Sequence, residues 1–149
     1  MKKKCDWRNV LLTVVSVLTY LAAVVFNFSH MSDSTGSRKP GFLTAGLFLL
    51  AAFIYVIYKR KSKKPLVIGI VFWSIALLCS LSALLMYFAY SDWMSLSYLF
   101  MIVFMPPAFG IAAPFKADNT LYFLILSAIP AAELLFHIIL LAIRKKGKK

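Results

Sequence analysis

Five apolar stretches, at about residues 10–28, 41–58, 65–90, 96–115 and 120–143, take up most of this chain and leave only short polar punctuation between them. A run of about 19 residues covers some 28 Å as a helix, close to the thickness of a bilayer's hydrocarbon. In lipid every backbone N–H and C=O must be satisfied internally, so runs of this length dictate helices. With 62% of 149 residues hydrophobic, the expected fold is all-α: a polytopic membrane helix bundle forming one integral membrane domain. The longest weakly apolar stretch, 29–40, is only about a dozen residues, which leaves no room for a soluble domain and sets aside a soluble enzyme.

A net charge of +12 would suggest nucleic acid in a soluble chain, but its placement here argues otherwise. Fourteen of the 17 Lys and Arg fall in three clusters, each abutting an apolar segment. These are Lys2, Lys3, Lys4 and Arg8; then Lys59, Arg60, Lys61, Lys63 and Lys64; then Arg144, Lys145, Lys146, Lys148 and Lys149. Such clustering is the signature of the positive-inside bias, and each cation near the surface attracts anionic lipid by roughly 1 kcal/mol. The second cluster, together with Arg144 and Lys145, is therefore expected to contact anionic headgroups, with no role in nucleic-acid binding.

Two cysteines make no disulfide framework, since Cys5 lies among the N-terminal cations and Cys79 deep in the third segment. Cys5 is juxtamembrane, a position where lipidation occurs. The first apolar run exceeds a signal-peptide core and lacks a small-x-small cleavage site, so it reads as a retained first helix. On that helix Asn9, Thr13, Ser16, Tyr20 and Asn27, spaced by 4, 3, 4 and 7, share one face. A face of this kind ordinarily packs through interhelical hydrogen bonds, each worth about 0.6 kcal/mol.

Stretch 29–40, with Asp33 and Gly36, is turn-forming, and Pro40 opens the second segment as a first-turn proline can. Gly41, Ala45 and Gly46 are small enough to let a neighbouring backbone approach. The third segment opens on Pro65, and Tyr87, Tyr90 and Trp93 are expected to form an aromatic belt at its far end.

Segment 96–115 is long enough to cross, yet it carries Pro106 and Pro107 in its middle, followed by Gly110 and Pro114. Two consecutive prolines remove two donors and clash with the preceding turn, so the helix must break there. If the chain dips in and returns, about 11 residues from Ser95 to Met105 reach some 16 Å, near the midplane, and the basic tail rejoins the other clusters. A kinked fifth crossing would instead put the tail on the opposite side. The sequence leaves both open: four transmembrane helices plus a broken segment that is either re-entrant or a kinked fifth crossing.

The last segment holds the chain's one glutamate. Leu126, Pro130, Glu133, His137 and Arg144 fall on one helix face, spaced by 4, 3, 4 and 7. Pro130 cannot donate to the carbonyl of Leu126, which leaves a free acceptor on that face. A carboxyl at membrane depth is costly and marks a functional hypothesis, and a glutamate four residues before a histidine is the minimal hardware of a proton relay. With the tail on the cytosolic side, His137 and Glu133 lie about 10 and 16 Å from the Arg144 edge, and Ser16 and Tyr20 lie at nearly the same depths. Glu133, His137, Pro130, Tyr20, Ser16 and Thr13 are thus the candidate intramembrane polar site, where two polar faces can meet.

Neither a nucleophile with an oriented base nor a phosphate loop is present, and two ligands are too few for a metal site. The expectation is a non-enzymatic multi-pass protein with no cofactor and no metal, acting as an accessory, regulatory or immunity-type partner through helix contacts. Its partners would be an anionic bilayer and either another membrane protein or further copies of itself. A bacterial cell membrane with the N-terminus cytosolic is the expected setting. The alternative is a small proton-coupled transporter or channel subunit in which Glu133 titrates.

Overall fold

The computed structural model of the chain describes residues 7–32, 38–59, 62–89, 103–115 and 118–146. Every element among them is helical. In chain order they are α1 (Trp7–Ser32), α2 (Arg38–Lys59), α3 (Lys63–Ala89), α4 (Pro106–Ala112), a 3-10 turn (Ala113–Phe115) and α5 (Asn119–Lys146). Four of these contain windows long and apolar enough to cross a membrane: Val10–Asn27, Gly41–Lys59, Lys63–Leu85 and Thr120–Arg144. Tyr90 and Trp93 of the expected aromatic belt, the 33–37 turn, Arg60, Lys61 and the N-terminal lysines lie outside what is described, as do the side chains of Tyr87 and Lys145.

Local chemistry accounts for the element ends. Pro40 and Pro65 sit in the first turns of α2 and α3, where a missing N–H leaves no intrahelical bond unmade. Asp118 caps α5: its Oδ1 accepts the Leu121 N–H at 3.0 Å and its carbonyl accepts the Tyr122 N–H at 2.9 Å. The helical path breaks at Met105, and Pro106 and Pro107 begin the seven-residue α4 as its first two positions. The pair therefore interrupts segment 96–115 and also restarts it. Seven residues extend only about 10 Å, a third of the hydrocarbon thickness.

Helix α1 packs along α2 and α3 along α5, while α4 lies against α1, α2 and α5. Although joined by a tight turn closed by the Ser62 N–H on the Lys59 carbonyl (2.7 Å), α2 and α3 touch little. The core gathers on α4. Its Ala108, Phe109 and Ala112, with Met105 before them, pack with Phe48, Trp73, Ala76, Tyr122 and Leu126. Lipid offers no hydrophobic drive for helix association, so close packing of small residues does this work, and α4 is built for it. Gly41 and Ala45 of α2 are buried against Gly110 of α4. Gly46, expected to serve the same purpose, faces outward with open space around it.

Ring contacts fix the register. The Phe109 and Tyr122 centroids are 6.3 Å apart, and Gly110 sits beside Asn27 and Gly41, so α5 starts at the end of the bundle where α1 stops and α2 begins. Phe53 of α2 then stacks on Phe136 of α5 at 4.8 Å, so the two run parallel toward Lys59 and Arg144. Helix α3 runs back the other way, and a β-carbon built on Gly69 would overlap the His137 ring. Counting from that contact along antiparallel helices puts Lys63 level with Ile143. The Arg8, Lys59, Lys63 and Arg144 ends of the four long helices therefore lie together at one end.

Candidate intramembrane polar site

The α3–α5 seam follows from residue spacing. On α3, Leu66, Gly69, Trp73, Ala76 and Ser80 recur at 3 and 4 residues, and all but Gly69 are buried. On α5, Tyr122, Leu126, Pro130 and His137 are the buried set, with Glu133 between the last two. This alternation of 3 and 4 lets two helices stay in contact over many turns. From the Gly69–His137 contact, the seam brings Trp73 level with Glu133 and Ser80 level with Leu126. The carbonyl that Pro130 leaves free is thus held in the protein interior, away from lipid.

His137 is 2% exposed, and its Nδ1–H donates to the Glu133 carbonyl at 2.7 Å. A carbonyl can only accept, so this bond assigns the proton to Nδ1. The Glu133 carboxyl lies farther off, with Oε2 3.9 Å from the same nitrogen, and that oxygen is buried with no hydrogen-bond partner. Phe136 packs edge-on to the imidazole, with centroids 5.9 Å apart. The result is a histidine locked by its own helix and by Gly69, beside a carboxyl whose second oxygen is unengaged.

Tyr20 sits between α2 and α3, its ring 5.2 Å from Phe48 and 6.2 Å from Phe72. Phe72 neighbours Trp73, so Tyr20 lies near the depth of Glu133, and its hydroxyl is likewise buried and unpartnered. However, the partners of α1 are α2 and α4, and its contact with α5 is marginal at most. The Ser16 hydroxyl donates to the Leu12 carbonyl at 2.8 Å, and Thr13 is exposed. The structure brings Pro130, Glu133 and His137 together and leaves Thr13 and Ser16 apart from them. Helix α1 packs on α2 and α4, and α4 meets it at the Asn27 end, away from Thr13 and Ser16.

Three residues matter more than the sequence suggested. Asn27 is fully buried, and its Nδ2 donates to the carbonyls of Ala23 (2.8 Å) and Gly41 (3.3 Å), while its Oδ1 faces Gly110 without a hydrogen-bond partner. One amide thereby ties α1 to α2 beneath α4. Gly69 is the notch that receives His137. A seam search at spacings of 3 and 4 on α3 would have found Gly69, whereas nothing local marks Gly110 as Asn27's neighbour.

Among the described residues no three His, Cys, Asp or Glu side chains gather where a metal could sit. No protein family, no curated protein and no solved structure matches this chain.

Proposed function

We propose that this chain is a non-catalytic multi-pass membrane protein that serves as an accessory partner to another membrane protein through helix contacts. The observation that carries the reading is where the intramembrane polar groups spend their hydrogen bonds. Ser16, Thr19, Ser80, Ser82 and His137 all donate to carbonyls three or four residues earlier on their own helices. Groups used this way are satisfied within their own helices and do not converge on a reacting centre. Further support comes from α1, whose span is only 11% buried and so offers most of its surface to lipid or to a neighbour.

One observation favours a second reading, a proton-coupled transporter or channel subunit: the unpartnered carboxyl oxygen of Glu133. A single experiment separates the two. The purified protein in liposomes with an imposed pH gradient is expected to pass no more protons than empty vesicles, and Glu133→Gln is expected to keep the native thermal midpoint, because the His137 bond is made to the Glu133 backbone carbonyl and survives the substitution. A proton flux that Glu133→Gln abolishes would replace the first reading with the second.

We further read segment 96–115 as re-entrant and the membrane as crossed four times, with both termini cytosolic. What supports this is depth. Phe104 packs on Phe72, midway along α3, at 5.4 Å, while Gly110 lies at the Gly41 end, so the chain climbs from mid-bundle to the start of α5. In chains with Cys5 and Cys79 replaced, a cysteine at Ser62 and one added after Lys149 are expected to be labelled from the same, cytosolic side by an impermeant maleimide. Labelling of the two from opposite sides would overturn this topology.

A further inference from the structure

The charge of this protein is sorted by end. The three basic clusters flank the gathered ends of α1, α2, α3 and α5, and they hold 14 of the 17 cations against one acid, Asp6. The sequence joining the opposite ends carries Asp33, Asp92 and Asp118 against Arg38, Lys39 and Lys116, which cancel. Glu133, inside α5, is the remaining acid. Orientation in a membrane needs only a bias in Lys and Arg between short loops. Here the whole net charge stands at one end.

The fold also concentrates it laterally. Phe53 stacked on Phe136 sets α2 beside α5 near this end, and Lys63 is level with Ile143 across the α3–α5 seam. Lys59, Lys63, Lys64 and Arg144 therefore lie at this same end, carried by α2, α3 and α5. Lys63 and Lys64 are exposed, while Lys59 and Arg144 are half-buried. The Lys59 ammonium lies 5.9 Å from the ring centroid of Tyr58, an exposed aromatic at the end of the α2 span, where headgroups begin.

We propose that this end is a binding site for a membrane lipid whose headgroup carries two phosphates, held jointly by Lys59, Lys63 and Lys64 on one side and by Arg144 at the end of α5 on the other. A singly charged headgroup engages one side at a time, whereas two phosphates on one molecule engage both, with the Arg144 guanidinium suited to paired contacts with one of them. Such a lipid would bridge the Lys59 end of α2 and the Lys63 end of α3, two helices that touch little on their own, to the end of α5. The proposal stands independently of any partner protein and of what Glu133 does.

The test is the thermal midpoint of the full-length protein in neutral detergent, followed by tryptophan fluorescence, because a ligand that binds only the folded state raises that midpoint. A diphosphatidyl lipid is expected to raise it by several degrees, and a monoanionic lipid at equal total charge by less than half as much. Lys63→Gln with Arg144→Gln should remove the difference between the two lipids, whereas Arg38→Gln with Lys39→Gln should keep it. Should the double variant fail to fold, Lys64→Gln alone is expected to halve the difference. Equal shifts from the two lipids, or a difference that survives loss of Lys63 and Arg144, would overturn the proposal. A larger shift from inositol hexakisphosphate or single-stranded RNA than from the lipid would do the same and would assign the surface to soluble polyanions.

Discussion

Gly110→Ala is expected to destabilise the protein by about 3 kcal/mol or more, at or above the top of the usual range for overpacking a core. A β-carbon there would overlap the Gly41 carbonyl and come within 2.7 Å of both Ala45 Cβ and Asn27 Oδ1. Two of these neighbours cannot give way cheaply. The Gly41 carbonyl is backbone that accepts from Asn27 Nδ2, and the Asn27 side chain is fully buried and bonded through Nδ2 to two carbonyls. The added methyl must therefore push α4 out of its seat or break the bonds that join α1 to α2. Denaturant-driven unfolding in mixed micelles measures the loss, and Gly46→Ala is the matched control. That position has open space around it, so the control is expected to lose nothing. A Gly110→Ala protein as stable as the control would show that α4 does not sit in this niche.

The second large effect is expected at Gly69, where the obstacle is a side chain. Alanine there would overlap the His137 ring, which is held by its Nδ1–H bond to the Glu133 carbonyl and walled by Phe136. We expect a loss of about 1–3 kcal/mol for Gly69→Ala, the ordinary cost of inserting a methyl into a packed interior. Because the neighbour is a ring, removing it should relieve the strain. In the Gly69→Ala, His137→Ala double variant the two losses are expected to fall short of adding by at least about 1 kcal/mol, beyond the roughly 0.5 kcal/mol scatter of independent sites. Strict additivity would mean that the two residues do not touch and that the α3–α5 register is different.

Spans were legible in the sequence because lipid imposes one answer on a long apolar run. Stretches at about 41–58 and 120–143 became helices Arg38–Lys59 and Asn119–Lys146, longer by a turn or less at each end. The Pro106 and Pro107 break was legible for a related reason, since no helix carries two missing donors through its interior without consequence. Within segment five the face holding Leu126, Pro130 and His137 was readable because burial on one helix follows its period. Which helix lies against which was not. Tyr20 and Glu133 lie at similar depths, yet depth is only one coordinate, and the partners of α1 are α2 and α4. Asn27 could be seen to share a face with Tyr20, but its bond to the Gly41 carbonyl spans a loop of no fixed geometry in the sequence. Gly69 could be found from its place in the 3-and-4 spacing of α3, but nothing around Gly110 in the sequence marks Asn27 as its neighbour.

The seating of α4 also sets an order of assembly. Helices α1 and α2 can pair as soon as both are in the membrane, and α3 must wait for α5, its main partner. Helix α4 rests on α1, α2 and α5, one of which is made after it. During synthesis the Pro106–Ala112 stretch therefore has two walls of its seat and lacks the third until Asn119–Lys146 arrives. A chain truncated before α5 would leave small residues and prolines facing lipid, without the tight packing that holds helices together there. Arrival of Asn119–Lys146 is thus the event that closes the seat of α4.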